Sequence, residues 1–426
     1  MHSNGSSGKS RFALRCRAAG RYLRSFAVWV AVGLALGLLG GLLGTAFCYA
    51  IQYATAFRTG HRWIIWLLPL GGLFIVWLYG LRGLHPTDTN GVLLAIRSPS
   101  GIPGATVPMI FLSTVVTHLL GGSAGREGAA LQLGGAAGDW LSHRLKLGEK
   151  DSHLVVMCGM SAVFAALFGS PLTAAVFALE VTSVGILHFS AILPCLTSAL
   201  TSVYLAKALG ISAEAFPLNR AFPVTFGTVG GVALIAGICA VLSIVYCVAL
   251  RRGGKLWAKV LPNPYLRAAA GGIAVALLTA LIGTTAYNGA GMDVIAAAVA
   301  GQARPEAFLL KMAFTVITMT SGYKGGEIVP AMFIGATLGC VLGSLLGLPA
   351  GLGAAVGLVS MFCGSLNVPI SAVFLGIELF GAGNMQFFAI AAAVSYMLSA
   401  NFGLYEEQKI VYSKLRPEYI NAYTAD

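Results

Sequence analysis

The sequence predicts an all-α integral membrane protein in which two halves of inverted topology are built from broken and tilted helices. Three observations lead to this fold class: a shortage of charged residues, a succession of long apolar segments, and a pair of sequence landmarks that occurs twice. Charged residues make up 10% of the 426 residues and hydrophobic residues 57%, whereas a soluble domain carries about 25% charge. So few charges cannot cover a surface that faces water, which excludes a soluble domain.

Apolar segments recur along almost the whole chain. The segments 26–56 and 226–250 each exceed the roughly 20 apolar residues needed to cross a bilayer. Others are short and interrupted by glycine or proline, as at Pro103, Pro108 and Pro171. Helices that stop partway through a membrane are tolerated only where protein buries them or where they line a cavity. We therefore expect many spans, some of them broken.

Positive charge is concentrated beside the apolar segments. The formal net charge is +12, and six of the 27 basic residues lie before residue 25: Lys9, Arg11, Arg15, Arg17, Arg21 and Arg24. This distribution is typical of the cytoplasmic flanks of membrane helices. It predicts a cell-membrane protein with a cytoplasmic N-terminus and no nucleic-acid partner. Residues 1–8 resemble a flexible leader, and the first apolar segment is too long for a cleavable signal peptide.

The sequence gives little support for a disulfide framework, a metal site, a cofactor or an enzyme. The eight cysteines have no CxxC spacing and lie mostly inside apolar segments, where cysteine behaves as a small hydrophobic residue. We expect no disulfide framework, no metal site and no cofactor. The sequence also lacks a recognisable pairing of nucleophile and base, so an enzyme is the least favoured class.

Two landmarks occur twice and in the same order. FGSPLTAAVFALEV (168–181) and LNVPISAVFLGIEL (366–379) each place a proline nine residues before a glutamate, Glu180 or Glu378. Upstream of them lie GREG with Glu127 and GGEIVP with Glu327, and the offsets are 200 and 198 residues. We therefore divide the chain into a basic cytoplasmic segment, two homologous membrane repeats, and a C-terminal pore helix with a short tail, with bounds 1–25, 26–210, 225–401 and 402–426.

Both upstream landmarks place glycines just before an apolar helix. Repeats of broken helices are typical of transporters whose binding site lies near the middle of the membrane. The free N–H groups and the dipole at a helix N-terminus attract an anion, and glycine allows close approach. The Glu127 carboxylate would compete with the anion for these donors until a proton releases it. This predicts Glu127 as gate and proton acceptor; a helix-capping glutamate is the alternative.

Three segments resemble one known family. GGSAGREGAALQLGG (121–135) is similar to the GREG-x-x-x-Q element of the CLC chloride channels and proton-coupled antiporters. GYKGGEIVPAMFIGATLG (322–339) is similar to their GGxFxP element, and GLYEEQ (403–408) to their last anion-contacting stretch, with Tyr405 at the pore tyrosine. The resemblance covers residues from about 26 to 415. It implies a CLC-like fold, a homodimer with one pore per subunit, surrounding lipids, and transport of an anion with protons.

Within that family the residues resemble the bacterial fluoride-exporting branch. Asn90 stands in the DTNGV stretch (88–92), Ala129 follows GREG, and Glu327 replaces an apolar residue. Val181 stands where chloride/proton antiporters carry a second inner glutamate. Ser100-Gly101-Ile102-Pro103 looks like the family's first anion element but lies too close to Glu127 to serve as one. The branch usually has threonine where this chain has Val329, which puts its selectivity in question.

Fluoride holds its water tightly, so its site must replace that water with strong hydrogen-bond donors at close range. We predict that Glu327 couples proton to anion, with a fixed structural acceptor as the alternative. Glu180 and Glu378 are expected to make helix-end contacts with neighbouring backbone. The residues predicted to bind the anion are Asn90, Gly91, Gly125, Gly128, Ile328, Val329 and Tyr405.

Three further polar residues are less specific. Arg126 is expected to pair with a structural partner. His118 is expected to be a satisfied packing histidine or a donor to a proton path, and Lys324 a solvated loop residue or a residue that steers anions at a vestibule.

The predicted function is a fluoride/proton antiporter that exports fluoride. The alternatives are a chloride channel or chloride/proton antiporter of the same fold, and a membrane sensor or scaffold that transports nothing.

Overall fold

The computed structural model describes residues 6–81, 88–98, 101–218 and 220–424, with side chains from residue 19 onward. Within these ranges it contains sixteen α-helices and three short strands. The first half holds α1 Ser6–Gly60, α2 Leu68–Gly80, α3 Thr89–Ala95, α4 Thr106–Leu120, α5 Glu127–Arg144, α6 Glu149–Phe168, α7 Pro171–Glu180 and α8 Ile192–Ala208. The second holds α9 Phe226–Val260, α10 Pro264–Ile282, α11 Met292–Val299, α12 Ala307–Thr320, α13 Ile328–Leu345, α14 Ala350–Leu366, α15 Pro369–Phe380 and α16 Met385–Leu398.

The helices divide into long and short apolar types. Seven helical segments of the described chain are long and apolar enough to cross a membrane, and six others have 10–17 residues. At 1.5 Å per residue, a helix of 12 residues spans about 18 Å, well short of the roughly 30 Å hydrocarbon core. The helices α5 and α13 begin inside the protein, on the buried residues Glu127 and Ile328, as predicted for broken spans.

Glycines hold the central helices in direct backbone contact. A Cβ on Gly134 of α5 would lie 2.2 Å from the carbonyl oxygen of Gly159 in α6. In the second half, a Cβ on Gly335 of α13 would lie 2.2 Å from the carbonyl oxygen of Gly357 in α14. Small residues allow membrane helices to approach this closely. Contacts between glycines therefore bring together the equivalent helix pair in each half.

The two halves hold each other through a reciprocal pair of glutamates. The Glu180 carboxylate, at the end of α7, accepts hydrogen bonds from the N–H groups of Ile370 (3.0 Å) and Ser371 (2.9 Å) at the start of α15. The Glu378 carboxylate of α15 accepts from the N–H groups of Leu172 and Thr173 at the start of α7, both at 2.9 Å. Each carboxylate thus caps a helix of the other half, which confirms the predicted helix-end contacts.

The C-terminal region differs from its prediction. Instead of a pore helix, the described part of 402–426 contains the strands β2 Lys409–Tyr412 and β3 Tyr419–Tyr423. β2 pairs in parallel with β1 (Ser183–Val184) of the first half, with Ser183 opposite Lys409, and antiparallel with β3. The β-branched Ile410 and Val411 favour a strand, and Pro417 lies in the turn between β2 and β3, where a helix could not continue. The three-stranded sheet is a small addition to a helical fold.

Candidate functional site

The two helix starts predicted to hold the anion meet in the interior. Gly125 and Gly326 exchange two backbone hydrogen bonds, from Gly125 N to Gly326 O (2.7 Å) and from Gly326 N to Gly125 O (2.8 Å). A Cβ on Gly326 would lie 2.6 Å from the backbone nitrogen of Gly128, so no larger residue fits without a shift. This two-residue bridge places the N-terminus of α5 beside that of α13.

Glu127 spans the two helix starts. Its side chain is fully buried, and Oε2 accepts hydrogen bonds from the N–H groups of Arg126 (3.0 Å) and Val329 (3.3 Å). Oε1 accepts none from the described part of the chain. The carboxylate therefore occupies backbone donors from both halves, the same donors that a bound anion would use. Protonation would weaken its hold on them and leave them free for the anion.

Glu327 lies on the other side of the bridge. It precedes α13, is half-buried, and its backbone oxygen accepts a hydrogen bond from the Tyr246 hydroxyl at 3.1 Å. A Cβ on Gly128 would lie 3.4 Å from Glu327 Oε2, so this carboxylate points to the start of α5. Each half thus presents a glutamate to the helix start of the other. Ile328 and Val329, the first residues of α13, are buried.

The predicted donors Asn90 and Gly91 both donate hydrogen bonds to the Asp88 carboxylate. Asp88 caps α3: its carboxylate accepts from the Gly91 N–H at 2.9 Å and from Asn90 Nδ2 at 3.2 Å. Asn90 Oδ1 in turn accepts from the Glu407 N–H at 3.3 Å. These bonds join α3 to the segment that follows Tyr405. Asn90 as an anion ligand stays a prediction, and in this arrangement its amide N–H already has an acceptor.

Thr89, the residue before Asn90, faces the interior instead. Its buried hydroxyl accepts a hydrogen bond from Gln132 Nε2 (3.2 Å), lies 3.5 Å from the Gly128 carbonyl oxygen, and is beside the Tyr405 phenol. Thr89 lies in the same stretch as Asn90 but is not among the residues predicted from the sequence. The helical period could have found Thr89, since it lies three residues before the buried Val92 on one face.

The Tyr405 phenol is a buried donor without an acceptor. Its side chain is 3% exposed, and its hydroxyl has no hydrogen-bond partner in the described ranges. Its backbone oxygen is fixed by Thr424 Oγ1 (2.5 Å) and Gln408 N (3.0 Å). Both Glu127 and Glu327 act on it electrostatically. Leaving such a group unpaired costs about 1–3 kcal/mol, so an anion acceptor at this position would satisfy it.

Ion pairs anchor the residues next to Tyr405. Glu406 Oε1 lies 3.2 Å from Arg251 Nε, and Glu407 Oε2 lies 3.4 Å from Arg97. Gln408 donates to the carbonyl oxygens of Val181 (2.9 Å) and Leu366 (2.6 Å), one from each half. The tyrosine is therefore positioned by both halves of the protein.

The less specific residues have structural partners. Arg126 donates to Glu214 Oε1 at 2.7 Å, as predicted for a structural pair. His118 is buried and its Nδ1 contacts the Thr114 carbonyl oxygen at 2.9 Å, whereas its Nε2 has no hydrogen-bond partner in the described chain, so both interpretations stay predictions. Lys324 is half-buried and its Nζ lies 4.9 Å from the Tyr79 ring centre, so it is not a freely solvated loop residue.

The stretch that resembles the family's first anion element lies elsewhere. Ser100 is outside the described residues. Ile102 donates its N–H to Asp139 Oδ2 at 2.8 Å, and Asp139 is twelve residues beyond Glu127 on α5, or about 18 Å along the helix axis. This location agrees with treating 100–103 as a coincidental match.

A cavity of about 620 Å³ opens beside the start of α5. Its lining includes Arg58 from α1, His118 from α4, Arg126, Glu214, and the loop before α11. Arg126, the residue before Glu127 in the chain, therefore lies in the wall of this cavity.

Comparison with known proteins shows which chains and folds this one is similar to. The family model described as voltage gated chloride channel matches residues 71–400. A chloride/fluoride channel protein of Pseudomonas syringae pv. tomato is 35% identical over 366 residues, which cover 84% of this chain and 81% of that protein. The crystal structure of a CLC-type fluoride/proton antiporter matches with a TM-score of 0.87 and 33% identity, over 90% of this chain and 98% of that one. A slow cyanobacterial Cl⁻/H⁺ antiporter, at 17% identity and a TM-score of 0.75 over 87% of this chain and 94% of that one, shares the fold.

Proposed function

The chain belongs to the voltage-gated chloride channel family, and on that premise we propose that it exports fluoride across the cell membrane in exchange for protons. The observation that carries this proposal is the Glu127 carboxylate, fully buried and bonded to backbone N–H groups at both helix starts. A proton on this group frees the donors for an anion, and an anion on the donors favours the protonated group. Movement of the two ions in opposite directions follows if Glu127 exchanges its proton with one side of the membrane at a time.

The choice of fluoride rests on similarity and on donor chemistry. A solved fluoride/proton antiporter and a chloride/fluoride channel protein both share about a third of their residues with this chain. The unpaired Tyr405 hydroxyl, together with the Arg126 and Val329 N–H groups that a protonated Glu127 would release, supplies the close, strong hydrogen bonds that a small anion needs when it loses water.

Chloride is the second candidate because of Val329. Its N–H faces Glu127, but its side chain offers no hydroxyl, so the site has one donor fewer than a threonine would give. A pathway poorer in donors discriminates less against the larger, more weakly hydrated chloride ion.

We also propose the cellular arrangement from sequence. The basic residues in the first part of α1, from Lys9 to Arg24, favour a cytoplasmic N-terminus. The family resemblance favours a homodimer with one pathway in each subunit, and the exposed apolar side chains of α1, α9 and α10 suit contact with lipid. Transport, not an enzymatic reaction, is the expected activity.

The test is ion efflux from liposomes that contain the purified protein, followed with fluoride, chloride and pH electrodes. Wild type should release fluoride far faster than chloride and take up protons, and Glu127→Gln should lose the proton uptake. Equal chloride and fluoride release would move the assignment to a chloride transporter. Absence of both fluxes would favour a sensor or scaffold.

A further inference from the structure

The loop that carries Tyr405, residues 403–408, lies outside the described helices and strands. The Tyr405 hydroxyl has no hydrogen-bond partner in the described ranges, so no protein atom there holds it in place. A phenol is joined to its backbone through two rotatable bonds. The place of the hydroxyl in the interior therefore depends on how firmly the backbone of this loop is held.

Gln408, the last residue of the loop, is fully buried and bonded through both its backbone and its side chain. Its N–H donates to the Tyr405 carbonyl oxygen at 3.0 Å. Its Nε2 donates to the carbonyl oxygens of Val181 (2.9 Å) and Leu366 (2.6 Å), and its Oε1 accepts from Asn367 Nδ2 at 2.9 Å. The nitrogen and the oxygen of the carboxamide are therefore both engaged by protein atoms.

The two carbonyl oxygens that Gln408 binds lie at helix ends in different halves. Val181 caps the end of α7, and Leu366 is the last residue of α14. Carbonyl groups at the end of a helix have no partner within the helix, and one nitrogen satisfies a carbonyl from each half. Gln408 therefore lies at the seam between the halves and ties the Tyr405 loop to both of them.

The position requires a carboxamide. The amide of glutamine supplies two donors and an acceptor in one planar group, whereas a glutamate would set a second acceptor against two carbonyl oxygens. Asn367 is fixed in turn, with φ at 59° and its Oδ1 accepting from Lys414 Nζ. Its Nδ2 is thereby directed to Gln408, so the carboxamide has one favourable orientation.

Close packing connects Gln408 to the tyrosine. A Cβ on Gly403 would lie 2.8 Å from Asn367 Nδ2 and 3.1 Å from Gln408 Oε1. Thr424 closes the loop from the other side: its Oγ1 donates to the Tyr405 carbonyl oxygen at 2.5 Å and its N–H to the Gln408 carbonyl oxygen at 3.1 Å. A displacement of Gln408 would therefore move the Tyr405 backbone through direct contacts.

We infer that Gln408 is a positioning residue that sets the affinity for fluoride by holding the Tyr405 hydroxyl where it meets the anion. This rests on the proposed function, because the hydroxyl must have an anion to bind. Gln408 does not touch the ion in this role, since its carboxamide is bonded to the ends of α7 and α14. Its effect on the ion passes through Tyr405.

The test is calorimetric titration of the purified protein with fluoride, comparing wild type with Gln408→Met, which keeps a side chain of similar length and removes the hydrogen bonds. The Kd should rise about three- to tenfold, and no further than in Tyr405→Phe, because a misplaced hydroxyl loses at most its own bond to the ion. The number of sites per protein should stay the same. A merely structural role would lower the number of sites, through unfolded protein, and leave the Kd unchanged, which would overturn the inference.

Asn384→Leu is the matched control. Asn384 is also buried, its Oδ1 accepts from the Phe222 N–H and its Nδ2 donates to the Arg220 carbonyl oxygen, both at 3.0 Å. These bonds join segments away from the Tyr405 loop, so the variant should melt at a lower temperature with the wild-type Kd. An equal rise of the Kd in both variants would show a general effect of lost stability and would count against Gln408.

A double variant shows whether Gln408 acts through the tyrosine. In a Tyr405→Phe background there is no hydroxyl to position, so adding Gln408→Met should leave the Kd unchanged. Rises that multiply in the double variant would mean that Gln408 affects the anion independently of Tyr405, which would overturn the inference.

A milder variant serves if Gln408→Met does not fold. Gln408→Asn keeps the carboxamide on a side chain shorter by one methylene, which cannot reach both carbonyl oxygens. It should give a smaller rise of the Kd that again disappears in Tyr405→Phe, and an unchanged Kd would contradict the inference.

The outcomes separate this inference from the proposed function. If wild type neither binds nor transports fluoride, the proposed function fails and the inference fails with it. If wild type binds and exchanges fluoride while the Gln408 variants keep its Kd, only the role of Gln408 fails.

Discussion

At the scale of single residues, the proposed ion pathway contains buried polar atoms that have no hydrogen-bond partner in the described chain. Glu127 uses one carboxylate oxygen to bridge the halves and leaves the other without a donor, and Tyr405 presents a buried hydroxyl without an acceptor. Buried groups of this kind are rare because each costs free energy. In the proposed site, a proton on the free Glu127 oxygen and an anion at the Tyr405 hydroxyl would satisfy both groups.

Tyr405→Phe tests whether the free hydroxyl serves the ion. We expect fluoride affinity to fall about tenfold or more, since a hydrogen bond to an ion contributes about 1.5–3 kcal/mol. The melting temperature without fluoride should rise, because the substitution removes an unpaired buried hydroxyl. Calorimetric titration with fluoride and a thermal melt measure the two quantities. Tyr323→Phe is the matched control: its hydroxyl already bonds to the Leu68 (2.8 Å) and Ala268 (3.1 Å) carbonyl oxygens, so it should lose stability and keep affinity.

Val329→Thr adds the hydroxyl that the site lacks, at nearly constant volume. The ratio of fluoride to chloride efflux should rise about two- to tenfold, the size of one modest hydrogen bond. Val356→Thr places the same hydroxyl in the buried interior of α14 and should not change the ratio. A ratio that stays constant in Val329→Thr would mean that the ion does not reach this side chain.

At the scale of elements, the starts of α5 and α13 can meet only because neighbouring helices pack backbone against backbone. Gly134 and Gly159 bring α5 onto α6, and Gly335 and Gly357 do the same for α13 and α14. These contacts lie within two or three turns of the bridge between Gly125 and Gly326. The helix pairs therefore determine how precisely the donors converge.

Gly134→Ala should destabilise the protein by about 1–3 kcal/mol or more, because the new methyl group would lie 2.2 Å from the Gly159 carbonyl oxygen and the backbone must move. The matched control is Gly230→Ala in α9, where nothing lies within 4 Å of the added atom, and which should stabilise by about 0.5–1 kcal/mol through helix propensity. Thermal melts in one detergent compare the two. Equal melting temperatures would contradict the packing argument.

Glu180→Gln and Glu378→Gln test the caps between halves. Each removes a charge that accepts from two N–H groups at a helix start, so each should cost about 1–2 kcal/mol of stability, and by similar amounts. Chemical unfolding followed by fluorescence measures this. Glu418→Gln, whose exposed ion pair with Arg416 is 3.9 Å long, should have no effect.

At the scale of the whole molecule, the repeated helical architecture can be predicted from the sequence more completely than the residues that line the proposed ion pathway. Glu127 and Glu327 could be found because each lies next to glycine at a helix start, a local signal. The spacing of Thr89 from the buried Val92 is a local signal. The contacts of Thr89 with Gln132 and Gly128 depend on how α3 packs against α5, which no local pattern encodes.

The C-terminal sheet escaped prediction for a similar reason. The segment Lys409–Tyr412 becomes a strand by pairing with Ser183–Val184, more than 220 residues earlier in the sequence, so tertiary pairing decides its conformation. The local pattern, a short apolar run after a polar turn, suits helix and strand equally.

This sheet bears on how the protein is made. Tyr405 is fixed by Gln408 and Thr424, and β2 is added to the edge of a strand from the first half. During synthesis, the sixteen described helices leave the ribosome before these residues do. The proposed ion route therefore lacks a fixed Tyr405 while those helices insert and pack one after another.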